Sequence, residues 1–232
     1  MSKNQSELTT PGSARTTVDA FLDQTHAVAH HSGRPRLLFA VDATASREGT
    51  WDQASELTAS MFAAVTALDA QLDVQLIFYR GCGPGECKAS RWISNGRELA
   101  RLMSKVRCES GETQIGRVLA HAQRENARQK VAALVFIGDM CEENRDTLSA
   151  EAQRLNLPAF VFQEGNDRHA AKVFGDIARL TRGAHCRFDR SSAKHLAQLL
   201  GAVAAYAAGG QRALKDMAST NAGAVRLLQQ LR

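Results

Sequence analysis

The feature that most constrains this chain is a set of short, wholly apolar runs separated by stretches of helical periodicity. Arg36 to Val41 reads RLLFAV and closes on Asp42, Asp73 to Tyr79 reads DVQLIFY, Val131 to Ile137 reads VAALVFI, and Pro158 to Phe162 reads PAFVF. Runs that are apolar at nearly every position, rather than at every second one, are strands covered on both faces. Between the first two lies Trp51 to Leu68, with apolar residues at Leu57, Met61, Ala64, Val65 and Leu68 in helical spacing. Further helices are expected from Asn95 to about Lys105, Gln114 to Gln129, Asp146 to Leu155, Arg168 to Thr181 and Ser192 to Ala207, with a last strand at Ala184 to Phe188. The segment GCGPGEC is a turn that leads into a short strand around Lys88 to Ile93, which makes a hairpin with the strand before it. Strands alternating with helices require crossover connections and therefore a mostly parallel sheet. The expected fold is α/β: a single doubly wound, Rossmann-like sheet with one antiparallel edge strand and helices on both faces.

At 232 residues the chain has room for one large domain or two small ones, and the alternation absorbs most of it into one. The expected organisation is a polar head with a short helix over 1–33, the α/β domain over 34–208, and a helical tail over 209–232. In the tail, Leu214 and Met217 mark one amphipathic piece and Val225, Leu228 and Leu231 another, able to dock on the domain or on a partner. The start, MSKNQSELTTPGSARTTVDAF, lacks the apolar run of a signal peptide, and VAALVFIG and LLGAVAAYAA are shorter than the roughly 18 residues a membrane span needs. Five cysteines, an odd number without a secretory start, argue for a reducing compartment; the expectation is cytoplasmic and without membrane contact. The net charge of +5 is carried by bases such as Arg97, Arg101, Lys105, Arg124, Arg128 and Lys130 that read as solvated helix faces. Without interleaved aromatic residues they do not suggest nucleic-acid binding. His26, His30 and His31 lack a Cys or acidic residue at matching spacing and do not read as a metal site.

Ligands of open parallel sheets bind beyond the carboxyl ends of the strands, so the residues just after strands are the ones to read. Asp42, Thr44 and Ser46 follow the first strand, Asp139 follows the strand at 131–137, and Thr113 precedes a helix. Tracing the chain up and down through its elements brings all three segments to one rim. Two carboxylates and three hydroxyls, with no His or Cys among them, form a hard-oxygen set suited to Mg²⁺ or Mn²⁺, with Ca²⁺ a further candidate. With only two formal charges on its ligands, such an ion would welcome a carboxylate from outside.

Asp42-Ala43-Thr44-Ala45-Ser46 resembles the DxSxS signature of von Willebrand factor A domains, with Thr in place of the first Ser. Gly111-Glu112-Thr113-Gln114-Ile115-Gly116 is similar to the GGTxIG segment of that family, and Phe136-Ile137-Gly138-Asp139 to the end of its fourth strand, normally followed by (T/S)DG. The three segments keep the family's order across about 34–208. The resemblance implies a metal-ion-dependent adhesion site in which Asp42, Thr44 and Ser46 hold the ion directly or through water, Thr113 approaches in the ligand-competent state, and Asp139 acts directly or through water. Gly138 and Met140 depart from the residues usual beside that aspartate. It further implies a module that binds an Asp or Glu of a protein partner, as a subunit of an intracellular assembly with an AAA+ ATPase, a chaperone or a stress-response system; oligomeric state is left open. No enzymatic activity is expected. The alternative is a Mg²⁺-dependent phosphoryl hydrolase with Asp42 as nucleophile. Cys82, Cys87, Cys108 and Cys141 fall toward the same rim, where a zinc or redox cluster is conceivable from the Cys82 to Cys87 spacing, and Cys186 reads as core.

Overall fold

A computed structural model describes residues 33–49, 72–188 and 193–231. The head up to residue 32, with its expected helix and histidines, and the expected helix at Trp51 to Leu68 lie outside the described residues. Six strands form one sheet: β1 Arg36–Asp42, β2 Asp73–Tyr79, β3 Cys87–Ile93, β4 Ala133–Gly138, β5 Ala159–Glu164 and β6 Ala184–Phe188. Six helices accompany them: α1 Gly96–Met103, α2 Ile115–Arg128, α3 Arg145–Arg154, α4 Arg168–Leu180, α5 Ala193–Met217 and α6 Ala222–Leu228.

The strand order is β3-β2-β1-β4-β5-β6, with every neighbouring pair parallel except β2 and β3. The expected doubly wound sheet with one antiparallel edge is therefore what forms. Every residue of β1, β2, β4 and β5 is buried, as the unbroken apolar runs demand. Alternation of side chains divides them between two cores. Leu37, Phe39 and Val41 of β1 pack with α1, α5 and α6, whereas Leu38 and Ala40 pack with α2, α3 and α4.

At the carboxyl half one strand boundary changes and one helix boundary holds. The strand expected to stop at Phe162 continues through Gln163 to Glu164, both buried, because these polar side chains find partners inside the fold. The helix expected to end near Ala207 does break at Gly209-Gly210: both glycines leave helical geometry, Gly210 with a φ of +66°, and a second helical piece runs on to Met217 across the kink. The tail then folds back onto the domain. Leu214 is fully buried, but in the last helix the buried side chains are Ala224 and Leu227, and Val225, expected on the apolar stripe, is 41% exposed. The helix is rotated this way because Gly223 lies against the α5 backbone, where a Cβ would come within 2.6 Å of the Gln198 carbonyl carbon. Beyond it, the Gln230 amide accepts from the His185 N–H at 2.9 Å and donates to its carbonyl at 3.0 Å, satisfying backbone groups on the edge strand β6.

The His185 ring bonds Gln163 at 3.1 Å and meets Phe174 edge to face. Burial, with Arg187 nearby, pushes its pKa down to about 4 from an ordinary 6.5. Between those values the unfolded chain binds the extra proton, so this contribution to stability is complete above the ordinary value and is lost as pH falls toward the lower one. Urea midpoints are expected to drop across that acid interval in the wild type and to drop less in His185→Gln. An unchanged acid slope in the variant would rule this assignment out.

Candidate functional site

The strand order reverses between β1 and β4, and in sheets of this type the crevice at that point, beyond the carboxyl ends, is where ligands bind. Asp42 ends β1, and Asp139 directly follows the last residue of β4. Asp42 is fully buried. Its Oδ1 accepts from the Thr44 N–H at 2.8 Å and its Oδ2 from the Tyr79 hydroxyl at 3.0 Å. Burial raises the Asp42 pKa above the usual carboxylate range; the Thr44 and Tyr79 donors act against that rise, and the charge of Asp139 adds to it. Beyond Thr44 the chain makes a 3-10 turn over Ala45–Arg47, which brings the Thr44 and Ser46 hydroxyls to 3.1 Å from each other.

The loop that carries Thr113 is sewn to this end of the sheet by backbone bonds. Glu109 N–H donates to the Ala43 carbonyl at 3.1 Å, and Glu112 N–H to the Gly81 carbonyl at 3.3 Å. Thr113 faces the segment after β4: its N–H donates to a Glu142 carboxylate oxygen and its hydroxyl oxygen accepts from the Glu142 N–H, both at 3.0 Å. The next residue, Glu143, accepts from the Ile115 and Gly116 N–H groups at 2.5 and 2.9 Å and so caps α2, which its own Gln114 side chain does not. Burial raises the Glu143 pKa against these donors. The three sequence segments thus meet at one rim, with the Thr113 oxygen engaged by Glu142.

Sequence reasoning missed Arg47 and Glu164. Arg47 stands one residue past the Asp42-to-Ser46 motif and is 1% exposed, ion-paired with buried Glu164 at the end of β5. Burial lowers its pKa, opposed by the charges of Asp42 and Asp139. The site therefore holds a buried ion pair beside two further carboxylates. The signal for Arg47 was adjacency to the motif; for Tyr79, a hydroxyl on the last residue of an apolar run; for Glu142 and Glu143, an acidic pair just after Asp139.

Cys82 is exposed, Cys87 and Cys108 are half-buried, Cys141 and Cys186 are buried, and all five are free thiols. Burial pushes the Cys87, Cys108 and Cys141 thiols up to about 11, away from the thiolate form that metal ligation and redox exchange use. Among the described residues no three His, Cys, Asp or Glu side chains come together as a metal cage. The donor set at the rim is instead two carboxylates with neighbouring hydroxyls. One observation bears on its fit to a cation: Asp139 Oδ1 is buried with no hydrogen-bond partner among the described residues. A buried acceptor left bare costs about 1–3 kcal/mol, more when charged, so this oxygen suits a positive ligand. The Gln114 amide, next to Thr113, is likewise buried with neither of its polar atoms partnered among the described residues.

No family model matches the sequence, and no curated protein is similar to it. Solved structures do share its fold. An aerotolerance-related membrane protein from Bacteroides fragilis NCTC 9343 is 16% identical, with 71% of this chain and 98% of that one covered at a TM-score of 0.54. BatB from Bacteroides thetaiotaomicron is 15% identical over 80% of this chain and 99% of its own, also at 0.54. The VWA domain of SpRpn10 is 14% identical over 71% of this chain and 94% of its own, at 0.55. The architecture is that of a von Willebrand factor A domain. Among the described residues no helix is long and apolar enough to cross a membrane.

Proposed function

We propose that this von Willebrand factor A-type fold is a metal-dependent protein-binding module, with Asp42, Thr44, Ser46 and Asp139 holding a Mg²⁺ or Mn²⁺ ion whose coordination a partner's Asp or Glu completes. The observation that carries the reading is the buried Asp139 Oδ1, without a partner among the described residues, close enough to the buried Asp42 carboxylate for the two charges to interact at the switch point of the sheet. Bound there, a dication would neutralise the repulsion between Asp42 and Asp139 and offer a Lewis-acidic face to an incoming carboxylate. Thr113, held by Glu142, stands ready to join it if that contact is released. Both Asp42 oxygens already accept hydrogen bonds, which supports a ligand-holding rather than a nucleophilic role. The von Willebrand factor A-type fold supports a protein-interaction role, and this reading places the module in an intracellular assembly.

Thermal unfolding with and without millimolar Mg²⁺ tests the metal. A ligand at a hundred times its Kd stabilises by about 2.7 kcal/mol, which raises the melting temperature by several degrees for a domain of this size. The wild type is expected to show that rise and Asp42→Ala and Asp139→Asn to lose it. Calorimetry showing no divalent-ion binding at millimolar concentration would sink the reading. Capture of a protein from native lysate in Mg²⁺ but not in chelator tests the second half.

A further inference from the structure

Beside the rim, between the edge strand β3 and helix α2, lies a cavity of about 230 Å³. Its floor is Ile77, and its walls include Cys87 and Lys88 from β3 and Arg117, His121 and Arg124 from α2. The three α2 residues recur at helical spacing and so share one face. Lys88 is half-buried and Arg117 and Arg124 are exposed. Arg36, Arg47, Arg80 and Arg91 each ion-pair with an acidic side chain. Arg117 and Arg124, by contrast, form no hydrogen bond or ion pair among the described residues. The Glu143 carboxylate, which feels the charge of Arg117, is already spent on the N–H groups at the start of α2. His121 adds no charge: Gln75, whose amide nitrogen donates to the Ser90 carbonyl, turns its oxygen to the His121 Nε2 at 2.8 Å, and burial keeps the ring neutral. The groove is thus cationic through Arg117 and Arg124.

Its position ties it to the rim. Cys87 at its upper end pairs with Tyr79, whose hydroxyl bonds Asp42, and α2 begins two residues after Thr113. From there the groove follows α2 downward. At about 1.5 Å per residue, Arg117 and Arg124 stand about 10 Å apart along the helix axis, a distance that three residues of extended chain cover. A single small anion cannot span it; a linear chain with repeated acids can. We propose that the groove between β3 and α2 receives an acidic peptide segment of the partner, whose neighbouring Asp or Glu reaches the rim. This extends the metal-dependent reading above by naming where the rest of the partner segment lies.

The test is fluorescence anisotropy of a labelled hepta-glutamate peptide against the full chain at low ionic strength, where exposed charges are least screened. Binding is expected in chelator, weakening as salt is added, and at least tenfold weaker in Arg117→Glu/Arg124→Glu. Both arginines are exposed, so the double variant is expected to keep the wild-type melting temperature. Unchanged peptide affinity in that variant overturns the proposal, as does displacement of the peptide by inorganic phosphate or an oligonucleotide at a lower concentration than unlabelled peptide. Mg²⁺ separates the two readings. If it leaves peptide binding unaltered while the charge reversal abolishes it, the groove stands and the metal reading fails.

Discussion

Replacing Arg47 with methionine is expected to lower the melting temperature by about 10 °C, through loss of roughly 3–5 kcal/mol. The reason is the company Arg47 keeps. Its guanidinium is buried, ion-paired with Glu164 and close enough to Asp42 and Asp139 to feel both charges. Removing it deprives Glu164, 4% exposed, of the Arg47 charge, and takes a positive charge away from the two aspartates. A buried pair is more sensitive to losing one member than both, because an apolar pair of similar volume needs no solvation. The double variant Arg47→Met/Glu164→Met is therefore expected to recover most of the loss, a coupling that a double-mutant cycle by chemical denaturation measures directly. Additive effects of the two substitutions would show that the pair is not coupled.

Gly111→Ala is expected to be the most damaging single-methyl change at the rim. A Cβ there would sit 2.0 Å from the Gly81 carbonyl oxygen and 2.3 Å from its carbon, both backbone atoms that cannot rotate away. The loop would have to lift off the β2–β3 hairpin, taking with it the Glu112-to-Gly81 and Glu109-to-Ala43 bonds and the position of Thr113. Overpacking of this kind costs about 1–3 kcal/mol, here with at least one backbone hydrogen bond in addition. The melting temperature should fall by several degrees and the Mg²⁺-induced rise should shrink. Gly85→Ala, in the same hairpin but with nothing among the described residues within 4 Å of the added carbon, serves as the control and should stay near the wild type. Equal behaviour of the two variants would mean that the Gly81–Gly111 contact does not hold the loop.

The inner strands were legible because burial on both faces leaves unbroken apolar runs, and runs this short, bounded by polar residues, suit strands rather than helices. β2 begins and ends where its run does, β1 includes the aspartate that closes its run, and β6, an edge strand that alternates buried and more exposed residues, keeps its expected bounds. Asn95 is expected at a helix start because a short side-chain oxygen caps the first turn, and it accepts from the Arg97 N–H there; Asn144 caps α3 in the same way, just before the expected start at Asp146. α2 starts without such a residue. Its cap is Glu143, from a segment distant in sequence, and local pattern carries no trace of a partner that arrives through the fold. The same holds for the tail, whose buried face is set by how closely Gly223 approaches α5 rather than by its own apolar spacing.

By itself, the sequence determined the order of elements, the sheet they form and the rim on which Asp42, Thr113 and Asp139 meet, since periodicity and chain direction follow from covalent connection and burial. Tertiary structure alone decided the charges around that rim. Whether a given arginine is solvated, paired in the interior like Arg47, or left open along a groove like Arg117 and Arg124 depends on which carboxylates the fold brings within reach. That is a matter of distance through space, and residues far apart along the chain supply it.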